Sequence, residues 1–262
     1  MKTGRSTGAM GRSGTGRKAA RGGQGTGAEA PGRERPTKGT RTRQRIVGHA
    51  TLLMYANGYA RTSIEEVIRA AGITKGSFYF HFRSKEDLGY AVIENASAYI
   101  LERLKEALKK PGLSSWERLE AMLREIQGIV EAADCTRGCI LGNLALETSH
   151  DHPGFREAIA AAFRAWWDLI ASHLEAMKEE GHLPPDFDCQ AYAQFAVSAL
   201  EGGIMMSKVA RDPGPMRTAA KLVLDLLPRE VEGRVPARKS RPQGGRKAAE
   251  GPGTGMRPRG RD

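Results

Sequence analysis

Cysteine is scarce in this chain. Three thiols in 262 residues, at 135, 139 and 189, give no disulfide framework and suit a reducing compartment. No run approaches the roughly 18 apolar residues that a membrane span needs. The opening residues hold no apolar stretch, so no secretory signal is expected and a cytoplasmic location is. Paired carboxylates, a Ser-His-Asp arrangement and a phosphate-binding glycine loop in a suitable context are all missing, which argues against an enzyme. The Cys135–Cys139 pair lacks a second ligand pair at metal-site spacing, and His150-Asp151-His152 is more simply a polar loop before Pro153. Neither a metal nor a cofactor is therefore predicted.

Positive charge, by contrast, is abundant and unevenly placed. Residues 1–40 hold nine basic and two acidic side chains, and residues 229–262 hold ten and four. The two tails thus carry +13 against a formal total of +11, so the middle of the chain comes to about −2. Within that middle, residues 41–90 are positive, with eight basic against four acidic groups. Both tails are glycine-rich and nearly devoid of large apolar residues, which predicts that they cannot offset the entropy of ordering. Arg33, Arg35, Lys38, Arg41 and Arg43 lead into the first helix and could follow the minor groove or phosphates of DNA, adding salt-dependent affinity. Solubilisation alone is an equally good account of that arm.

The most informative stretch is Thr62 to Leu88, TSIEEVIRAAGITKGSFYFHFRSKEDL. Ser63 and Glu66 form a capping-box pattern, and Ile64, Val67, Ile68 and Ala71 share one helical face. Gly72 ends this helix, and Thr74 caps the next after a turn of about three residues, the spacing of a helix-turn-helix. The second helix, from Lys75 to about Phe82, gives Phe78 and Phe82 to the core along with Ile73. Lys75, Ser77, Tyr79 and His81 are left for outside work. Ser84 with Asp87 starts a third helix near Lys85. A recognition helix presents its N-terminal residues to base edges while neighbours grip phosphate. Thr74, Lys75, Gly76 and Ser77 occupy that end, Gly76 allowing close approach, with Tyr79 and Lys85 available to the backbone.

At these residues the chain resembles the TetR family of one-component transcriptional repressors. The run GITKGSFYFHFRSKEDL looks like its signature, and RQRIVGHATLLMYANGY followed by RTSIEEVIRAAG agrees in order and spacing. The resemblance implies double-stranded DNA as partner, contacted through Thr62, Thr74, Lys75, Gly76, Ser77, Tyr79, His81 and Lys85. It also implies a homodimer on a palindromic operator and a small-molecule effector. The segment around Gly138 and Cys139 resembles that of a subgroup near the N-ethylmaleimide reductase repressors, some of which sense electrophiles or oxidants through such a cysteine. Lys208 falls where those repressors have a lysine near the thiol.

Downstream of Ala91 the pattern is helical throughout, with no strand-like alternation of any length. Helices are predicted from Ser84 to about Lys110, Ser115 to about Ala133, a short piece over GCILGNLALE, Pro153 to about Glu180, Asp188 to Ala210 and Pro213 to Leu227. The expected fold is all-α: an N-terminal three-helix helix-turn-helix domain and a C-terminal helical ligand-binding and dimerisation domain. The boundaries are 1–39 (disordered basic arm), 40–100 (DNA-binding), 101–228 (effector-binding and dimerisation) and 229–262 (disordered basic tail).

Small and apolar residues on the last two helices, among them Ala193, Gly202, Gly203, Ala219 and Leu222, suit either intrachain packing or a four-helix bundle between two subunits. A helix N-terminus at Cys139, with Arg137 nearby, would favour a thiolate, although a buried cysteine is more often an inert small hydrophobe. An effector pocket is expected among Met122, Ile126, Cys139, Asn143, Glu147, Phe163, Trp166, Trp167, Met205 and Lys208, with Asn143 and Glu147 orienting the ligand. The alternative to an effector-released repressor is an architectural nucleic-acid binder driven by the basic tails.

Overall fold

The computed structural model describes residues 37–228. The tail from 229 onward lies outside them, and so does the arm expected over 1–39 except for its last three residues, of which Lys38 and Gly39 are helical. The chain divides at residue 41 into two units; of the first, residues 37–41 are described, and Lys38 opens helix α1. Nine helices and no strand occur among the described residues. They are α1 (Lys38–Asn57), α2 (Ile64–Ala71), α3 (Lys75–His81), α4 (Lys85–Leu108), α5 (Ser115–Glu131), α6 (Ile140–Thr148), α7 (Pro153–Glu179), α8 (Cys189–Ala210) and α9 (Gly214–Asp225). None of them is long and apolar enough to cross a membrane. The all-helical expectation holds, with most helix ends within two residues of the predicted ones, usually inward where last turns fray into caps.

Local signals set the helix ends. Ser63 Oγ accepts the Glu66 amide at 3.2 Å while the Ser63 amide donates to Glu66 Oε2 at 2.8 Å, a closed capping box. Gly72 ends α2 in the left-handed region at φ 60°, where a Cβ would be strained. Thr74 caps α3 through the Ser77 amide at 3.1 Å, and Ser84 caps α4 through the Asp87 amide at 3.0 Å. Pro153 at the first position of α7 needs no amide partner there.

Two cores result, and their division does not follow chain order. One gathers Ile46, Ala50 and Met54 of α1, Val67 of α2, Phe78 of α3, Phe82, and Leu88 and Val92 of α4. It also takes Ile140, Leu141 and Leu144 of α6 with Phe155 and Ile159 of α7. The other is built from the far half of α4, α5, the rest of α7, α8 and α9, centred on Leu104, Met122, Ile126, Ile170, Leu174 and Leu200. A boundary at residue 100 therefore cuts through α4, which is continuous from Lys85 to Leu108. The helix that begins in the N-terminal head ends in the body, and α6 belongs to the head's core although it lies late in the sequence.

Within the head's core α4 passes closely against α7 at Gly89. A Cβ there would collide with the Phe155 ring and stand 3.1 Å from the Tyr59 ring. Overpacking of this kind costs about 1–3 kcal/mol, only partly offset by alanine's helix propensity of about 1 kcal/mol over glycine. Gly89→Ala is expected to lower the thermal unfolding midpoint by several degrees; an unchanged midpoint would show that Phe155 can move aside freely.

Candidate functional site

The polar face of α3 is open. Thr74, Lys75 and Gly76 are exposed at its N-terminus, Ser77 is half-buried with its amide spent on the Thr74 cap, and Tyr79 is 44% exposed. Phe78 beneath them is fully buried, so the helix is anchored by one face and presents the other. His81 is the last residue of α3, half-buried, with its ring edge-on to Phe80. Phe80, assigned to neither face from the sequence, is 82% exposed, more than any other large apolar residue described. Its place follows from the burial of Phe78 and Phe82, but an apolar side chain gives no sign of a role outside.

Two residues expected on DNA are occupied elsewhere. Thr62 is buried, 1% exposed, and its hydroxyl donates to the Gly58 carbonyl at 2.7 Å. It therefore closes the α1–α2 turn and is not available as a surface contact. Lys85 is half-buried; its ammonium donates to the Ala60 carbonyl at 2.9 Å and lies 4.6 Å from the centre of the Tyr59 ring. Burial lowers its pKa, against the pull of Glu147 and Glu66. It holds the same turn from the α4 side.

Glu147, expected to orient a ligand, holds that turn from the other side. Its Oε2 accepts the Tyr59 amide at 2.7 Å and its Oε1 the Ala60 amide at 2.7 Å. Gly58 makes this possible: its φ is +81°, and a Cβ would sit 2.8 Å from Oε2. The turn leading into the helix-turn-helix is thus bonded to α4 through Lys85 and to α6 through Glu147. The carboxylate faces neither cavity described next, so the ligand role is withdrawn.

A cavity of about 450 Å³ lies between the head and the body. Leu52 and Tyr55 of α1 form one wall, Ala96, Tyr99 and Ile100 of α4 another, and Ile126 and Ile129 of α5 a third. Cys139, Ile140 and Leu141 at the start of α6, Trp166 of α7, and Glu201 and Ile204 of α8 close it. Beyond Cys139 and Glu201 a wider groove of about 900 Å³ runs along α6, α7 and α8, lined by Asn143, Leu146, Phe163, Trp167, Met205 and Lys208 among others. The expected pocket residues are therefore split. Trp166 faces the closed cavity, Asn143, Trp167, Met205 and Lys208 face the groove, and Cys139 faces both. Met122 is ordinary core.

Cys139 is the N-cap of α6, its Sγ accepting the Gly142 amide at 3.5 Å. The helix N-terminus, which favours a thiolate, is opposed here by burial. Burial pushes this thiol well above its ordinary pKa and the Glu201 carboxylate adds to the rise; the Gly142 and Leu141 amides pull the other way and lose. The neighbour of the thiol is Glu201, whose Oε2 lies 2.7 Å from where a Gly142 Cβ would be. Lys208 is engaged instead with Asn143 Oδ1 at 3.3 Å, while Asn143 Nδ2 donates to the Arg137 carbonyl at 3.0 Å. Because the thiolate is the nucleophile, native Cys139 should react with N-ethylmaleimide at pH 7.5 at least about tenfold more slowly than free cysteine. Stopped-flow or mass-spectrometric labelling measures this, and a faster reaction would show the thiol to be activated.

Glu201, Tyr55 and Tyr99 were missed by sequence reasoning. Glu201 had a signal, as the one acid within the apolar stretch AVSALEGGIMM of α8. Tyr55 and Tyr99 had none, since an aromatic on a helix face reads as core. Burial raises the Tyr55 pKa to about 12, against the Ile140 backbone hydrogen bond to its oxygen. No group of three His, Cys, Asp or Glu among the described residues is placed to hold a metal ion.

Residues 46–92 match the family model for bacterial regulatory proteins of the tetR family, and residues 115–223 match that for the tetracyclin repressor-like C-terminal domain. The transcriptional regulator AcuR of Cereibacter sphaeroides is 30% identical over 161 residues, 62% of this chain and 74% of that protein. Among solved structures, a regulatory protein TetR from Rhodobacter sphaeroides superposes with a TM-score of 0.67 at 27% identity, covering 71% of this chain and 99% of that one. The reduced form of E. coli NemR gives 0.64 at 25%, covering 72% and 98%. An open recognition helix on a buried anchor, a helical body behind it and these matches together place the chain in the TetR family of DNA-binding transcriptional regulators.

Proposed function

We propose that this regulator is a repressor in the cytoplasm that binds a palindromic operator as a homodimer and is released when a small molecule occupies the closed cavity. One observation carries the reading: the cavity and the DNA-binding head share parts. Its α1 wall continues into the turn before α2, and α6 has Cys139 at the cavity and Glu147 bonded to that same turn. A ligand that favours a different seating of α6 or α1 would shift the head by the difference in its affinity for the two states. Thr74, Lys75, Gly76, Ser77, Tyr79, His81 and Phe80 form the DNA face of this account.

Dimerisation follows from exposed apolar side chains on the last two helices. Phe195, Met205, Met206 and Val209 of α8, Leu222 of α9 and Leu226, which caps α9, are each at least 45% exposed. A second copy would cover them, setting two recognition helices about 34–36 Å apart, one turn of DNA. The effector is taken to bind reversibly, because burial raises the Cys139 pKa and so disfavours the reactive thiolate. The architectural alternative draws no support from the family assignment.

Filling the cavity tests the release step without knowing the ligand. Ala96 lines it from α4, and Ala96→Phe should mimic occupancy, weakening binding to the DNA beside the protein's own gene at least tenfold in fluorescence anisotropy with unchanged helicity. Full affinity in a folded Ala96→Phe protein would count against the cavity as the switch.

A further inference from the structure

The ligand itself leaves a trace in the cavity walls. Three buried side-chain polar atoms among the described residues lack a hydrogen-bond partner, and two of them, Trp166 Nε1 and Glu201 Oε1, belong to residues lining this cavity, Glu201 standing between it and the groove beyond. Trp166 is 97% buried by its 3% exposure, so its indole N–H has no recourse to bulk water. An orphaned buried donor or acceptor is costly, more so when charged, and a ligand that satisfies it recovers what is lost.

Glu201 also lacks a cation. The cavity's Arg103 is engaged by Glu125 and Tyr99, Lys208 by Asn143, and the exposed Arg137 does not figure among the influences on the Glu201 carboxyl, which are burial and the Cys139 thiol. Around it stand isoleucines and the rings of Tyr55, Tyr99 and Trp166. An acid in apolar walls without a counter-charge is completed by a positive ligand, and aromatic faces favour the same sign. A carboxylate ligand would instead be repelled.

We infer that the closed cavity takes an amphipathic organic cation, a protonated amine whose N–H donates to Glu201 and which carries an oxygen that accepts from the Trp166 indole. The inference rests on the reading of this cavity as the effector site. Burial raises the Glu201 pKa to about 7, so the carboxylate that the amine pairs with is gained as pH rises through neutrality. Of the groups nearby, Cys139, Tyr55 and Arg103 are all shifted upward, away from that range.

The test is calorimetric titration of the full chain, without DNA, using three ligands of one shape: 3-phenoxypropylamine, 3-phenoxypropan-1-ol and 3-phenoxypropanoate. At pH 8 the amine is expected to bind at least tenfold more tightly than the alcohol, and the carboxylate more weakly than either. Glu201→Gln should bring amine and alcohol to within about twofold, and Trp166→Phe should weaken both together. The amine preference of the wild type should shrink between pH 8 and pH 6, a readout that needs no variant. Equal binding of amine and alcohol, tightest binding of the carboxylate, or an amine preference that survives Glu201→Gln would overturn the inference. The amine is then added to the protein–operator complex. Preferential binding without release leaves the ligand class standing and defeats the release reading, whereas release accompanies success of both.

Discussion

Glu147→Ala is expected to weaken operator binding tenfold to thirtyfold while leaving the helical content intact. The carboxylate accepts two backbone amides of the α1–α2 turn at 2.7 Å each, and hydrogen bonds to a charged group contribute about 1.5–3 kcal/mol each when well shielded. Ala60 is exposed, so its bond lies at the low end, and water replaces part of what is lost. About 1.4–2 kcal/mol remains, which is a factor of roughly 10–30 in affinity if the turn's seating is what positions the recognition helix. Hydrogen exchange gives the local readout: the Tyr59 and Ala60 amides should lose protection in the variant, and no change there is expected at Phe78 in the core of the head. Glu147→Gln, which keeps an acceptor for one amide, should fall between. Unaltered operator affinity with exposed Tyr59 and Ala60 amides would show that the turn is held for stability alone and does not relay the state of the cavity.

The second large effect belongs to the recognition helix. Lys75 is exposed at the N-terminus of α3, on the helix that Phe78 anchors. A base-edge or phosphate contact from such a side chain contributes about 1–3 kcal/mol, so Lys75→Ala should reduce operator affinity about 10–100-fold without lowering thermal stability. Its salt dependence tells which contact is made. A phosphate contact lowers the slope of log K against log salt by about one and weakens all sequences alike, whereas a base contact relaxes preference at one position. Tyr79→Phe removes only a hydroxyl and should cost less, while Phe80→Ala should alter preference at thymine-bearing positions through loss of an apolar contact. Retention of full affinity and preference by Lys75→Ala would remove α3 as the reading element.

Sequence alone made the head legible because its instructions are local. Ser63 with Glu66, Gly72, Thr74 and Ser84 each act within four residues, and the structure forms every one of those caps. Helix periodicity likewise exposed the burial of Val67, Phe78 and Phe82. What could not be read was the destination of polar side chains that act at a distance. Glu147 meets partners 87 and 88 residues away, and Lys85 one 25 residues away. Both were expected to face a ligand or DNA because a charged residue on a helix reads as solvent-facing until the neighbouring turn is in place. Cys139 is a related case: the helix N-terminus is visible in the sequence, but the Glu201 carboxylate that raises its pKa is brought by α8. Thr62 was expected at DNA from resemblance, and its hydroxyl proves to be committed to Gly58.

The most direct measurement is binding of the full chain, in about 150 mM salt, to the palindrome in the DNA beside its own gene and to the same fragment with one half-site scrambled, with stoichiometry from sedimentation. The account predicts two chains per palindrome and a preference of at least about a hundredfold over the scrambled fragment, kept when residues 1–36 and 229–262 are removed. Equal affinity for both fragments, lost on removing those tails, would contradict it and identify a charge-driven binder of DNA in general.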